Sequence, residues 1–410
     1  MPWKKIDFNF SDLKRIGTYS GHIPSTPFIE HLLAGIAGRG EFGLDIYGVI
    51  KRMPVYPDTV KIRGIPASQA ARVLFVIRYF IQLLFLKTGS AIKIARHLSK
   101  SKKGFYAILW DACLALPILC NPPDVFHLQW TKTIANMGWL VDLNVCSVIV
   151  SLRGSHVNYS PLIEPGLKEV YRSYFPRITA FHAVSQAIVK EGMKYGVTPE
   201  KVSLIHSIVP DAVLNRYRAE TGLRSGRLKL LSVGRFHWSK GYEFSLQSAL
   251  ALKAMKIDFE YTIVAGGAVP EDIIFQMSDS GLLNNVKIIP GMMHDEVLRC
   301  MQQHDLLILP SVAEGIANVV LEAMAVGLPV ITTDCGGMAE LVTNRINGWI
   351  VPRRDPRAIV LAIEDYLNTD EGELRQIRQR AHDFISTHFN EQVQIEKFSQ
   401  LYRQTLAAKN

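Results

Sequence analysis

LLILPSVAEGIANVVLEAMAVGLPVIT, residues 306–332, opens with a short aliphatic run, passes through a small polar loop, continues with helical spacing over 318–326 and closes on a second β-branched run. A strand, a helix and a second strand in that order are the repeating unit of a parallel sheet with crossover helices. Outward from this unit the same beat continues. Short β-branched runs at 228–233, 261–265, 286–289, 306–309, 330–332 and 349–351 predict strands, and the patterns at 242–255, 294–303, 318–326 and 356–367 predict the helices between them. Two further helical patterns, 371–387 and 391–406, follow the last strand.

The N-terminal half carries the beat less cleanly, with strands expected at 45–50, 125–128, 145–152, 178–184 and 202–205, and a helix over 27–37 for which Ser25 and Thr26 are N-cap candidates. A polar stretch, 210–226, reads as the boundary between two α/β domains. At 410 residues the chain is long enough for two such cores. Doubly wound sheets take ligands at the carboxyl ends of their strands, so the chemistry is sought in the loops that follow them.

Composition narrows the class. The chain is 48% hydrophobic and 20% charged, which is the make-up of a folded protein and excludes disorder. Its five cysteines are scattered with no Cys-x-x-Cys pair, so neither a disulfide framework nor a thiolate zinc site is expected, and a reducing, cytoplasmic compartment fits. Residues 1–10 lack the apolar run of a signal peptide. Residues 1–210 hold 25 Lys+Arg against 13 Asp+Glu, and 211–410 hold 21 against 24, so the halves carry +12 and −3. A basic half attracts anionic lipid, nucleic acid or a phosphorylated substrate alike, and no nucleic-acid signature accompanies it. The most apolar stretch, 73–86, is shorter than the roughly 20 residues of a membrane span. It reads first as a buried helix, and second as an interfacial helix in peripheral contact with anionic membrane, since Arg72, Lys87, Lys93, Arg96 and Lys100 flank it.

Three loops carry charged or glycine-rich groups at strand ends. The first, 234–241 (GRFHWSKG), offers Arg235 and Lys240 next to Gly234 and Gly241. Arg gives a planar fork and Lys a point charge, a combination suited to a diphosphate. The second places Glu314 before a helix and Glu322 a turn into it, with the amides of Gly315, Ile316, Ala317, Asn318 and Val319 at the helix start, where an anion is favoured. A carboxylate can accept two hydrogen bonds from a diol. The third, 333–340 (TDCGGMAE), ends a strand in a Gly-Gly turn.

With these motifs, residues 228–370 closely resemble the C-terminal domain of retaining glycosyltransferases of family four. That resemblance implies the GT-B fold: α/β, with two Rossmann-like doubly wound domains facing a cleft and C-terminal helices returning to the N-terminal domain. It implies an acceptor-binding domain over 1–207, a nucleotide-sugar-binding domain over 208–385 and a returning helix over 386–410. By resemblance Arg235 and Lys240 hold the donor diphosphate, Glu314 the transferred sugar and Glu322 the nucleotide ribose. Ile316-Ala317 stands where the family often has Phe-Gly.

In the N-terminal half only Gly21 remains of the family's glycine-rich loop. His127, Gln129 and Trp130, at the end of the 125–128 strand, are cleft candidates, with a core histidine the safer reading of His127. Arg153 occupies the family's histidine position; it cannot accept a proton but could hold a phosphate or an acidic acceptor, with His156 as a substitute base. The resemblance implies a sugar moved from a nucleotide-sugar donor to a glycan, lipid-linked or small-molecule acceptor, in cell-surface polysaccharide or glycolipid synthesis. No Asp-x-Asp metal motif is present, so no metal or other cofactor is expected. An epimerase or phosphorylase on the same plan, or an idle binding protein, stay open as alternatives.

Overall fold

The computed structural model describes residues 13–99, 104–219 and 226–408. The expectation for residues 1–10, the flanking Lys100 and part of the 210–226 boundary lie outside them. The chain divides into two compact units. One comprises the residues up to Ala183, Val189–Ile205 and the stretch from Ile395 on; the other comprises Val184–Ile188 and His206–Gln394.

The first unit is built on a seven-stranded sheet: β1 (Arg15–Ile23), β2 (Gly43–Ile50), β3 (Val60–Ile65), β4 (Val125–Leu128), β5 (Ser147–Leu152), β6 (Ala180–Ala183) and β7 (Val202–Leu204). Their order is β3-β2-β1-β4-β5-β6-β7, all parallel, so the direction of winding reverses between β1 and β4. The five expected strands are present within a few residues, but β1 and β3 were not expected. β1 (RIGTYSGHI) is broken by glycines and hydroxyls, and β3 (VKIRGI) is an edge strand carrying Lys61 and Arg63. Asp45 ties both to β2: buried to 1% exposure, it accepts from Arg15 Nε at 2.5 Å and Arg63 Nε at 2.9 Å.

Helix α1 (Pro27–Gly38) starts at Thr26, but the Thr26 hydroxyl makes no capping bond; the start is set instead by Glu30, which accepts from the Ser25 N–H at 2.5 Å. Helices α2 (Gln69–Leu86), α3 (Thr88–Ser99) and α4 (Phe105–Cys120) follow β3 and pack on one another. The reading of 73–86 as a buried helix is corrected. In α2 only Leu83 is buried, while Leu74, Ile77, Ile81, Leu84 and Phe85 are exposed. The helix runs 18 residues because Ser68 caps it, accepting from the Ala71 N–H, so the apolar run begins a full turn inside. From Ile395 on, the last helix (Glu391–Ala407) belongs to this unit; Gly35 of α1 leaves room for Ile395, whose Cδ1 would lie 2.0 Å from a Cβ there.

The second unit holds all six expected strands: β8 (Leu228–Arg235), β9 (Phe259–Gly266), β10 (Val286–Ile289), β11 (Leu306–Leu309), β12 (Val330–Thr333) and β13 (Trp349–Val351). The sheet is parallel, in the order β10-β9-β8-β11-β12-β13, and reverses between β8 and β11. Neighbouring β11 residues serve opposite faces. Leu307 and Leu309 pack in one core with Val320 and Met324, and Leu306 and Ile308 pack in another with Leu246 and Trp349. Two short helices of this unit carry site residues: α5 (His294–Met301) and α6 (Asn318–Val326).

Removing the Asp45 carboxylate leaves two guanidinium groups facing each other across an apolar spot. Asp45→Ala is expected to lower unfolding stability by about 3 kcal/mol or more in urea titration, as for a broken buried ion pair. A loss under about 1 kcal/mol would place the group among ordinary surface pairs.

Candidate active site

At the reversal point of the second sheet, the loops after β8 and β11 leave side by side, which opens a crevice at the strand ends. After β8, Arg235 is exposed and makes no ion pair among the described residues. His237 starts the turn that follows; its Nδ1 accepts from the Ser239 N–H at 3.3 Å and shares a hydrogen bond with Ser239 Oγ at 2.9 Å. Burial, with Arg235 and Lys240 nearby, lowers the His237 pKa. The turn ends at Gly241, with φ of 64°, where a Cβ would meet Pro310 O at 2.2 Å. Only glycine lets the two loops close to this distance. The backbones then join, since Val312 N–H donates to Ser239 O at 2.8 Å.

This junction brings Lys240 Nζ to 2.6 Å from Glu314 Oε1, which also accepts from Ser311 Oγ at 2.8 Å. The two charged side chains are largely buried, at 19% and 14% exposure, so the pair is well shielded from water. Gly336-Gly337, after β12, closes the loop from its other side: Gly337 N–H donates to Gly315 O at 2.8 Å. A Cβ on Gly336, whose φ is 57°, would lie 2.0 Å from Glu314 O, and one on Gly337 would lie 2.5 Å from Gly315 O. Helix α6 then begins after Ala317, which is buried, with Asn318 exposed at its head and Ile316 and Val319 packed on the core. The first N–H groups of a helix have no partner within it, and its dipole favours negative charge there. Gly234 sits at the end of β8 beside Lys240, whose Cε would lie 3.3 Å from a Cβ there.

Glu322, inside α6, pairs with a residue the sequence reading passed over. His294, the first residue of α5, places Nε2 at 2.9 Å from Glu322 Oε1. The loop after β10 carries no glycine pattern or cation pair to single it out, and only the sheet order brings α5 beside α6.

The first unit presents a different chemistry. His127 and Gln129 are fully buried, so both are corrected from cleft candidates to core groups. His182 Nε2 lies 2.8 Å from Ile205 O, a carbonyl that can only accept, so His182 Nδ1 must accept from Ser151 Oγ at 2.8 Å. Ser151 Oγ in turn accepts from His127 Nε2 at 2.8 Å, which leaves His127 Nδ1 to accept from Tyr402 OH at 2.9 Å and Gln129 Nε2 at 3.2 Å. Burial pushes His127 down to about 3, so its ring is uncharged near neutrality. Arg153, Trp130 and His156 lie outside it. The Arg153 guanidinium sits 4.5 Å from the Phe28 ring centre and 5.5 Å from that of Trp130, and its Nε donates to Gln129 O at 3.0 Å. No carboxylate meets it among the described residues, and burial lowers it to about 10. The His156 ring lies 5.6 Å from Trp130, its Nδ1 has no partner among the described residues, and burial pushes it down to about 4, too low for an effective base near neutrality. Gly21, with φ of 95°, borders open space close to Ser20, whose carbonyl accepts from Trp130 Nε1 at 3.1 Å.

Residues 215–383 match the family described as Glycosyl transferases group 1. The match covers the C-terminal part of the chain, about two-fifths of its 410 residues. The amylovoran biosynthesis glycosyltransferase AmsK of Erwinia amylovora is 29% identical over 348 residues, 82% of each chain. The putative colanic acid biosynthesis glycosyltransferase WcaL of Escherichia coli K12 is 32% identical over 173 residues, 40% of this chain and 42% of its own length. Among solved structures, sucrose-phosphate synthase from Thermosynechococcus elongatus superposes with a TM-score of 0.72 at 16% identity, covering 96% of this chain and 100% of that one. Anabaena HepE in complex with UDP-glucose superposes at 0.66 and 15% identity, over 95% and 100% of the two chains. The fold is therefore GT-B, with two Rossmann-like sheets.

The His294–Glu322 pair gives the site a pH signature. The hydrogen bond to Glu322 raises the histidine's pKa, against the lowering effect of burial. The folded value exceeds the unfolded one, so the stabilisation is complete below about 6.5 and is lost as pH rises through the folded value. His294→Ala is expected to melt below the parent at about pH 5.5, with the gap narrowing toward about pH 8. A pH-independent gap in differential scanning fluorimetry would mean that the ring contributes by packing alone.

Proposed function

We propose that this glycosyltransferase moves a sugar from a nucleoside-diphosphate sugar to a glycan, lipid-linked or small-molecule acceptor, with retention at the anomeric carbon and without a metal, in the synthesis of a cell-surface polysaccharide inside the cell. The observation that carries the reading is the convergence of Lys240, Glu314 and the start of α6 on one glycine-closed crevice. Arg235, at the same strand end, supplies a second cation. The amylovoran and colanic acid relatives support a polysaccharide product, and the HepE structure supports a UDP-sugar as the first donor to test.

The diphosphate takes Arg235, Lys240 and the α6 amides, Glu322 takes the ribose diol, and Glu314 faces the transferred sugar. As the bond from the anomeric carbon to the phosphate oxygen breaks, negative charge grows on the departing diphosphate, and in this reading these cations and N–H groups offset it. Arg153, a cation held by aromatic faces rather than by an acid, takes a phosphate or carboxylate on the acceptor.

In donor assays with chelator present, turnover is expected to persist, and Arg235→Ala and Lys240→Ala are each expected to reduce kcat/KM by about 2–4 kcal/mol. Parent-like rates in either variant would remove its role. Release of nucleotide with no acceptor present, alongside a changed sugar, would favour the epimerase alternative. Arg153→Gln is expected to raise the KM for an acidic acceptor by roughly tenfold or more, the loss of one charge-assisted hydrogen bond, while the thermal shift caused by UDP stays at the parent value. An equal loss for neutral acceptors would reassign Arg153 to the architecture of its own unit.

A further inference from the structure

Apart from Leu86 at its end, the large exposed apolar residues of α2 fall on one side. Leu74, Ile77, Ile81, Leu84 and Phe85 recur at the spacing of a single helical face, with Phe85 at 86% exposure and Leu74 at 69%. The opposite side is engaged by α4: the Arg72 guanidinium lies 4.9 Å from the Trp110 ring centre, and Cys120 Sγ reaches Tyr79 O at 3.5 Å. Helix α3 starts one residue after α2 ends, and α4 adds Phe105 and Tyr106, both more than 60% exposed, at its own start. A helix pinned along its length to its own unit cannot turn to cross a bilayer. It can offer one face.

Charge identifies the surface that this face meets. Between Asp58 and Asp111 the sequence has no Asp or Glu and ten Lys or Arg. Those 52 residues carry +10, against −1 for the rest of the chain, 36 Lys+Arg against 37 Asp+Glu. Arg78 lies on the apolar face itself, and Lys87, Lys93 and Arg96 are exposed along the end of α2 and on α3. A second protein would be met with a mixture of both signs; an apolar ridge bordered by cations alone matches acyl chains beneath anionic headgroups. Long basic side chains beside such a ridge reach up to phosphate while their stems stay in the apolar layer.

We propose that α2, with the exposed parts of α3 and α4, docks this glycosyltransferase on the surface of a membrane containing anionic phospholipid, with α2 lying in the plane of the headgroups. The docking does not depend on the sugar-transfer reading, because it is measured without donor or acceptor.

The test is flotation of the full chain with vesicles of phosphatidylcholine alone and of phosphatidylcholine mixed with phosphatidylglycerol. The protein is expected to float with the anionic vesicles and not with the neutral ones, and the floated fraction is expected to fall as salt rises. The variant Leu74→Ser/Ile77→Ser/Ile81→Ser/Phe85→Ser is expected to stay at the bottom. All four side chains are exposed, and an unchanged far-UV circular dichroism spectrum shows that the fold is kept. Lys93→Glu/Arg96→Glu, which leaves the apolar face intact, is expected to bind anionic vesicles on the order of twentyfold more weakly. The proposal is overturned if the parent fails to float with anionic vesicles, floats equally with neutral ones, or is matched by the serine variant. It is also overturned if the parent does not float and is a dimer in solution that the serine variant converts to monomers, which would make a second copy of the chain the occupant.

Discussion

The candidate donor site depends on a contact between backbones rather than between charges. Two neighbouring strands, β8 and β11, send their following helices to opposite faces of the sheet, so their loops part at the strand ends. Left alone, such loops diverge. Here the second is pulled back onto the first where Gly241 meets Pro310 O, and onto the third where Gly336 and Gly337 lie against the carbonyls of Glu314 and Gly315. Lys240, Glu314 and the loop into α6 inherit their positions from these approaches. The 2.6 Å contact between Lys240 and Glu314 follows from this approach of the two loops.

That pairing also sets the resting charge of the crevice. Lys240 and Glu314 cancel, which leaves Arg235 and the partial positive charge of the α6 start. Without Glu314, Lys240 at 19% exposure would be a largely buried cation with its desolvation uncompensated while the site is empty. With Glu314 as a partner, the ammonium is oriented without ligand, and on the proposed reading an arriving diphosphate completes its coordination rather than creating it. The same logic separates the two units. In the first, burial drives His127 to its neutral form, and the half-buried Arg153 is held by the faces of Phe28 and Trp130. An arginine steadied by rings keeps its directional N–H groups for something else.

The second unit was legible almost residue by residue, because its strands are short apolar runs and its site residues lie in loops directly after them. The first was not, for identifiable reasons. β1 and β3 lack a periodic apolar pattern, and their place in the sheet is fixed by Asp45 reaching Arg15 and Arg63, a contact among residues 30 and 18 positions apart. His294 was invisible for a similar cause: its partner lies 28 residues away, on a helix that only the strand order makes a neighbour. His127 and Arg153 stand at comparable strand ends, yet one turns into the core and the other does not. A strand end in sequence does not say to which side the last residue points, since one step along a strand reverses the face.

The apolar segment of the first unit failed in the opposite direction. Hydropathy gave it correctly as a helix and wrongly as an interior one, because apolar content alone does not distinguish a helix that the protein covers from one that it leaves bare. The distinguishing feature lay in the surroundings. A core helix is flanked by charges of both signs that solvate the ends of neighbouring elements, whereas the stretch from Thr59 to Trp110 contains no carboxylate at all. Of its ten cations Arg63 is paired with Asp45, and keeping the others close in sequence costs self-repulsion that a globular surface normally relieves by interspersing acids. On the docking proposal, a surface dense in phosphate relieves it from outside while covering the face of α2 that the fold leaves open.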